Sequence, residues 1–194
     1  MKKDSMEDIE RITIDDNEPY LRQISEEVDF KDLSYLEDIK KLEYFCTHNR
    51  VFAMAAVQIG IPKRIIYLKN TTLDDSKYDD LTYNEKRIFI NPVILSRKGR
   101  TRYLEACASC IDYAGVVERP YEIEVEYYKE DGTKTKEILE GFISTVFSHE
   151  YDHLNGVLHI DIAKETMRMN VEERKKYREE HPYEILNKTE DFES

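Results

Sequence analysis

The run His149-Glu150-Tyr151-Asp152-His153-Leu154-Asn155-Gly156 limits what this chain can become more than any other stretch. On a helix, His149 and His153 stand at i and i+4, so both imidazoles leave one face about a turn apart. Two side chains at that spacing can grip one metal ion. Glu150, beside that face, can reach a water on the metal without ligating the metal itself. Ile143, Val146, Phe147 and Leu154 make the surrounding segment apolar. The pattern predicts a central helix from about Gly141 to Asn155, with Gly156 as its stop. The chemistry this points to is metal-dependent hydrolysis, and the third metal ligand decides which kind.

Two candidates compete for that third place. The run HEYDHLNGVLH extends to His159 and matches His-Glu-x-x-His-x-x-Gly-x-x-His, the metzincin protease pattern. Such a peptidase needs a Met-turn behind the helix. Met167 and Met169 are the available methionines, but they follow His159 closely, in a polar stretch that reads as helix. The rival is Cys107, in Leu104-Glu105-Ala106-Cys107-Ala108-Ser109. A thiolate suits a reducing compartment, and a metal would hold it deprotonated. Cys107 and Cys110 spell a lone Cys-x-x-Cys. With no second pair, a zinc knuckle or redox couple is the lesser reading, and Cys110 reads as a small buried residue.

The 194 residues fit one domain with a substantial core. A net charge of −12 argues against a nucleic-acid backbone as partner. No apolar run approaches a membrane span. The N-terminal MKKDSMEDIERIT has neither a secretory h-region nor the Arg-rich, acid-poor character of a transit peptide. Three cysteines are too few for a disulfide scaffold, so the expected location is the cytoplasm, and the sequons at Asn70 and Asn187 are chance matches.

Leu33, Leu36, Ile39, Leu42 and Cys46 predict an amphipathic helix over 32–48. Residues 65–69 and 88–95 read as short buried strands, and the acidic stretch 71–86 between them as a surface loop. Tyr121, Ile123, Val125 and Tyr127 alternate with glutamates, which predicts a half-buried strand. Asp131-Gly132 signals a hairpin turn, and TKTKEI returns as the partner strand. Asn170 and Glu173 predict a capping box opening a charged, solvated C-terminal helix over about 170–182, closed by Pro182.

Three segments in order resemble the peptide deformylases. The family's Gly-x-Gly-x-Ala-Ala-x-Gln is met by Val51 through Gln58, its Glu-Gly-Cys-Leu-Ser by Glu105 through Ser109, and its Gln-His-Glu-x-Asp-His-Leu-x-Gly by Ser148 through Gly156. Ile90-Asn91-Pro92 and Arg119-Pro120 are further landmarks, and the likeness covers about residues 15–165 of a single domain spanning 1–194. The resemblance implies an α+β fold in which a central metal-binding helix packs among antiparallel β-sheets, followed by a C-terminal helix. It implies one divalent metal held by Cys107, His149 and His153, with ferrous iron as the native ion and zinc, nickel or cobalt as other occupants. Glu150 becomes the general base and proton carrier. The side-chain amide of Gln58 and the backbone N–H of Ala108 meet the oxyanion. Glu105, paired with Arg119, supports the cysteine loop. The implied substrate is the N-formyl-methionyl end of new polypeptides, with the ribosome as the setting, and His159 becomes a spectator where the family has an apolar aromatic.

The chain departs from the pattern where backbone comes close to substrate. Val51 and Ala53 replace the glycines of the first motif, Ala106 replaces that of the second, and Ala108 replaces its leucine. Ser148 replaces a glutamine, and Ala114 falls where many members carry a peptide-holding arginine. Two alternatives therefore stand beside an active deformylase. One is a protein of that fold with altered or lost activity. The other is a metzincin-like metallopeptidase using His159.

Overall fold

A computed structural model describes residues 6–69 and 85–193. The expected surface loop at 71–86 lies outside these residues except for its last two, as does the sequon at Asn70. The elements run α1 (Ile14–Leu21), α2 (Ser34–His48), β1 (Ala53–Ala55), β2 (Ile65–Lys69), β3 (Lys86–Cys107), β4 (Cys110–Arg119), β5 (Glu122–Tyr128), β6 (Lys134–Glu140), α3 (Phe142–His153), α4 (His159–Ile162), β7 (Glu165–Arg168), α5 (Val171–Glu180) and β8 (Glu184–Asp191). The eight strands form a sheet in which every pairing is antiparallel, giving the expected α+β class.

The 22-residue β3 is the spine. Its first part pairs with β2 and β5, and its later part with β4 and β8. It changes course at Asn91, which has a φ of +49°. The Asn91 side chain holds that bend by bracketing one residue. Val28 N–H donates to Oδ1 at 2.8 Å, and Nδ2 donates to the Val28 carbonyl at 3.0 Å.

The sheet is covered on both faces, which explains why β2 reads IIYLK without alternation. Ile65 and Tyr67 point into a cluster with Ile39, Leu42 and Phe45 of α2. Ile66 and Leu68 point into a second cluster with Phe147 of α3, Phe89 and the inward residues of β5, Ile123, Val125 and Tyr127. Phe147 and Leu154 are fully buried, each contributing roughly 2–3 kcal/mol of apolar burial. Phe147 meets the Phe89 ring edge-on at 4.9 Å between centroids. Packing therefore presses α3 onto the sheet and fixes which of its faces looks toward the β3–β4 turn.

Gly156 ends α3 with a φ of +71°. A Cβ there would fall 2.1 Å from the Arg22 carbonyl oxygen, so close approach of the α1 end requires glycine as much as the dihedral does. In the C-terminal region the capping box forms as expected. Glu173 N–H donates to Asn170 Oδ1 at 3.0 Å, and Asn170 N–H donates to Glu173 Oε2 at 2.8 Å. No residue of α5 is buried, in keeping with a solvated helix.

The short buried strand expected over 88–95 is only part of the 22-residue β3, in which Val93 and Leu95 are 48% and 43% exposed, and two further segments form strands that the sequence did not predict. The stretch carrying Met167, read as helix, is the short strand β7, because its backbone finds unpaired partners along the edge of β4 (Ala114 opposite Met167). Beyond Pro182 the chain forms β8 against the middle of β3. Its run of Glu, Asn, Lys and Asp carries little strand propensity, so pairing with an existing edge supplies the order. Among the described residues, no helix is long and apolar enough to cross a membrane.

Candidate metal centre

α3 delivers His149 and His153, and the last residue of β3 delivers Cys107. The ligand atoms of these three lie within 4.8 Å of one another, and His153 Nε2 stands 3.2 Å from Cys107 Sγ. A tetrahedral ion with one thiolate at about 2.3 Å and two imidazoles at about 2.1 Å needs donor separations of this size. The donor set therefore fits a divalent ion and leaves one side open to the cleft.

The second layer fixes the first. Glu105 Oε2 stands 2.8 Å from His149 Nδ1, so a proton on Nδ1 donates to the carboxylate and Nε2 is presented to the metal position. Arg119 holds Glu105 in turn with two donors, Nε to Oε1 at 2.8 Å and Nη2 to Oε2 at 2.9 Å. It also reaches Asp152, inside the His-Glu-x-x-His run. Arg119 and Glu105 are only 5% and 6% exposed. Burial opposes the charge of Glu105, but Arg119 outweighs it and holds the carboxyl well below the usual range. The expected Glu105–Arg119 pair is present and belongs to a longer chain, Asp152–Arg119–Glu105–His149.

Several contacts also hold the Cys107 sulfur. Hydrogen bonding from Cys110, and then the charge of His153, outweigh burial and keep its pKa well below that of an ordinary thiol. Ser109 N–H points back to Cys107 Sγ at 3.3 Å. Two residues, Ala108 and Ser109, separate β3 from β4, and Cys107 faces Cys110 across this tight turn. The resemblance-based pair Gln58 and Ala108 both line the cleft beside Cys107. Gln58 Nε2 donates to Ser109 Oγ at 3.1 Å and approaches Cys107 Sγ at 3.5 Å.

Glu150 is 5% exposed and lies against β1. Burial pushes its pKa up, with His149 and His153 pulling it down. One backbone donor organises both the candidate general base and the candidate oxyanion donor: Ala55 N–H donates to Glu150 Oε2 at 2.8 Å and to Gln58 Oε1 at 2.9 Å. No side-chain pattern could reveal that contact. The signal available was only that Ala55 and Gln58 share one motif.

The cleft holds about 280 Å³. Phe52, Tyr103, Phe142 and Val146 are among its apolar lining, and Cys107, His149 and Glu150 among its polar lining. Val51, Ala53, Ala106 and Ala108 all border it, so the replacements noted in the sequence do shape this space. Ala114 does not. It is fully buried and paired with β7, and the arginines at the cleft are Arg50 and Arg178 instead. Arg178 comes from α5, donates twice to the Leu104 carbonyl, at 3.1 and 3.0 Å, and lies over the Tyr103 ring. Ser148 Oγ is buried without a hydrogen-bond partner among the described residues.

His159 opens α4 and is 1% exposed. It gathers with Cys107 and Cys110, not with His149 and His153 as the metzincin pattern requires. Its ring lies 5.7 Å from that of His149. Burial, and then His149, lower its pKa to about 4.

Residues 9–169 match the family model described as polypeptide deformylase. The peptide deformylase of Rhizobium meliloti (strain 1021) is 38% identical over 156 residues, covering 78% of this chain and 83% of that protein. A crystal structure of peptide deformylase from Plasmodium falciparum superimposes with a TM-score of 0.68 at 33% identity, over 88% of this chain and 91% of that one. A class I type b peptide deformylase from Acinetobacter baumannii, bound to Met-Ala-Ser, does so with a TM-score of 0.69 at 25% identity, over 79% and 96%.

Proposed function

This chain belongs to the polypeptide deformylase family, and on that footing we propose that it removes formate from N-formyl-methionyl peptides with Cys107, His149 and His153 as metal ligands and Glu150 as general base. The observation that carries the residue assignment is the convergence of those three donor atoms within 4.8 Å, next to a buried carboxylate at the end of an apolar cleft. The family relationship implies a divalent metal. A thiolate with two imidazoles suits ferrous iron, zinc, nickel or cobalt, and we assign iron as the native ion. When bound, the ion polarises the formyl carbonyl and acidifies a water beside it.

The chain's own groups do the rest. The methionine side chain enters between Phe52, Tyr103, Phe142 and Val146, which excludes water and aims the formyl group at the metal end. Glu150 Oε2 is tied to Ala55 N–H, so Oε1 takes the proton of the attacking water and passes it to the departing amine nitrogen. Gln58 Nε2 turns from Ser109 to the developing oxyanion, and Ala108 N–H donates to the same oxygen. The Met-Ala-Ser held by the Acinetobacter relative is what formyl-Met-Ala-Ser leaves after loss of formate. New polypeptides emerging from the ribosome in the cytoplasm are the matching substrate.

The test is formate release from formyl-Met-Ala-Ser by protein loaded anaerobically with iron, nickel or zinc. The proposal predicts turnover. It also predicts that Cys107→Ala abolishes metal uptake while His159→Ala retains it. No turnover with any of the three metals would favour a deformylase fold with lost or altered activity.

A further inference from the structure

We propose that this chain carries a second cation site, formed by Cys107, Cys110 and His159 and joined to the first through the Cys107 thiolate. The ligand atoms of these three residues lie within 4.8 Å of one another, as close as those of the catalytic set. Cys110 and His159 come from different elements, β4 and α4, and both are buried, at 0% and 1% exposure. Cys110 is brought there by the two-residue turn that sets it opposite Cys107. His159 is brought there by α4, which packs against β4.

A separate observation points to a ligand. Neither Nδ1 nor Nε2 of His159 makes a hydrogen bond of good geometry among the described residues; the ring has only a poorly aligned approach to the Tyr113 backbone. A buried imidazole with so little hydrogen bonding is destabilising in an apolar enclosure. An apolar aromatic would fill the same space without that cost. A cation accepting the lone pair of one ring nitrogen removes part of it. Two sulfurs and one imidazole in an apolar enclosure select a thiophilic ion of low coordination number, zinc or copper(I), over magnesium or calcium. Thiolates bridge such ions readily, so Cys107 can serve both positions. Entry is from the cleft, where Cys107 is 7% exposed.

The proposal rests on the deformylase reading only for the role of Cys107 in the first site, and it predicts regulation of that site. A second ion draws electron density from the shared sulfur and weakens the first metal's hold. Formate release should therefore rise to one equivalent of metal and fall as a second enters.

The test is titration of reduced, metal-free protein with Cd2+ by equilibrium dialysis, with the thiolate-to-cadmium absorption recorded in parallel. The wild type should take up two equivalents. Cys110→Ala and the aromatic-preserving His159→Phe should each take up one, and Cys110→Ala should lose part of the absorption. Zn2+ and copper(I) titrations then show which ion the site prefers. A single equivalent in the wild type overturns the proposal, as does a second equivalent that survives both variants. A binding stoichiometry of two with no formate release at any point of the titration would instead count against the deformylase reading alone.

Discussion

Replacing Arg119 by Leu tests how the centre is held together. The guanidinium is 5% exposed and makes two hydrogen bonds to Glu105, itself 6% exposed, as well as its contact with Asp152. Leucine fills much of the space but leaves the Glu105 carboxylate buried with His149 Nδ1 as its remaining donor. Breaking a buried ion pair from one side costs about 3–5 kcal/mol, because the charge left behind is neither solvated nor paired. For a chain of this size each kcal/mol lowers Tm by roughly 2–4 °C, so the expected fall is about 6–20 °C. Asp152, 25% exposed, can turn to water and adds little. The double variant Glu105→Gln/Arg119→Leu removes the stranded charge while keeping a carbonyl oxygen for His149, and should recover a large part of the loss. Thermal and urea unfolding of the metal-free forms measures this without the stabilisation that bound metal adds. Metal affinity of Arg119→Leu should fall about 10–100-fold, as for other residues that orient a ligating histidine. The reasoning is refuted if Arg119→Leu lies within 1 kcal/mol of wild type, or if the double variant is no more stable than the single one.

Gly156→Ala should cost about 2–4 kcal/mol, since its φ is +71° and the new Cβ would meet the Arg22 carbonyl oxygen at 2.1 Å. Urea unfolding checks this, and a loss below 0.5 kcal/mol would show that the α1–α3 approach is loose. Glu118 contributes stability in a defined pH window. Burial opposes its charge, but Lys164, Arg102 and Arg100 draw its pKa down to about 2. A depressed carboxylate pKa gives stability that is fully present above the unfolded value of about 4.3 and is lost as pH falls through 2. The shift corresponds to roughly 3 kcal/mol, which screening at the exposed cations reduces to about 1–2. The stability gap between wild type and Glu118→Gln should hold steady above pH 5 and close toward pH 2. A gap independent of pH would assign the effect to packing.

The parts of this molecule legible in its sequence are those governed by short-range spacing. α3 and its glycine stop follow from the apolar positions around His149 and His153. β5 follows from strict alternation, and the α5 cap from Asn170 and Glu173. Cys107 is one of two candidates for the third ligand on sequence grounds, and only the resemblance of its segment to a known motif ranks it above His159, because nothing local ties residue 107 to residue 149. The remainder depends on long-range packing. Ala55 N–H reaches Glu150 through the placement of β1 beside α3, and no residue type encodes a backbone donor. β7 and β8 take their order from the edges of β4 and β3, against weak local propensity. The buried trio Cys107, Cys110 and His159 draws on three elements, two of which give no sequence sign of meeting.

Glu150→Gln, assayed for bound metal and for formate release on the same anaerobically loaded sample, separates proton transfer from metal binding. The amide keeps the shape and the contact with Ala55 N–H but cannot take a proton. The expected outcome is the same metal content as the wild type and a rate of formate release from formyl-Met-Ala-Ser lower by on the order of 10²–10⁴-fold. Turnover within a few-fold of wild type at full metal occupancy would remove Glu150 from the mechanism.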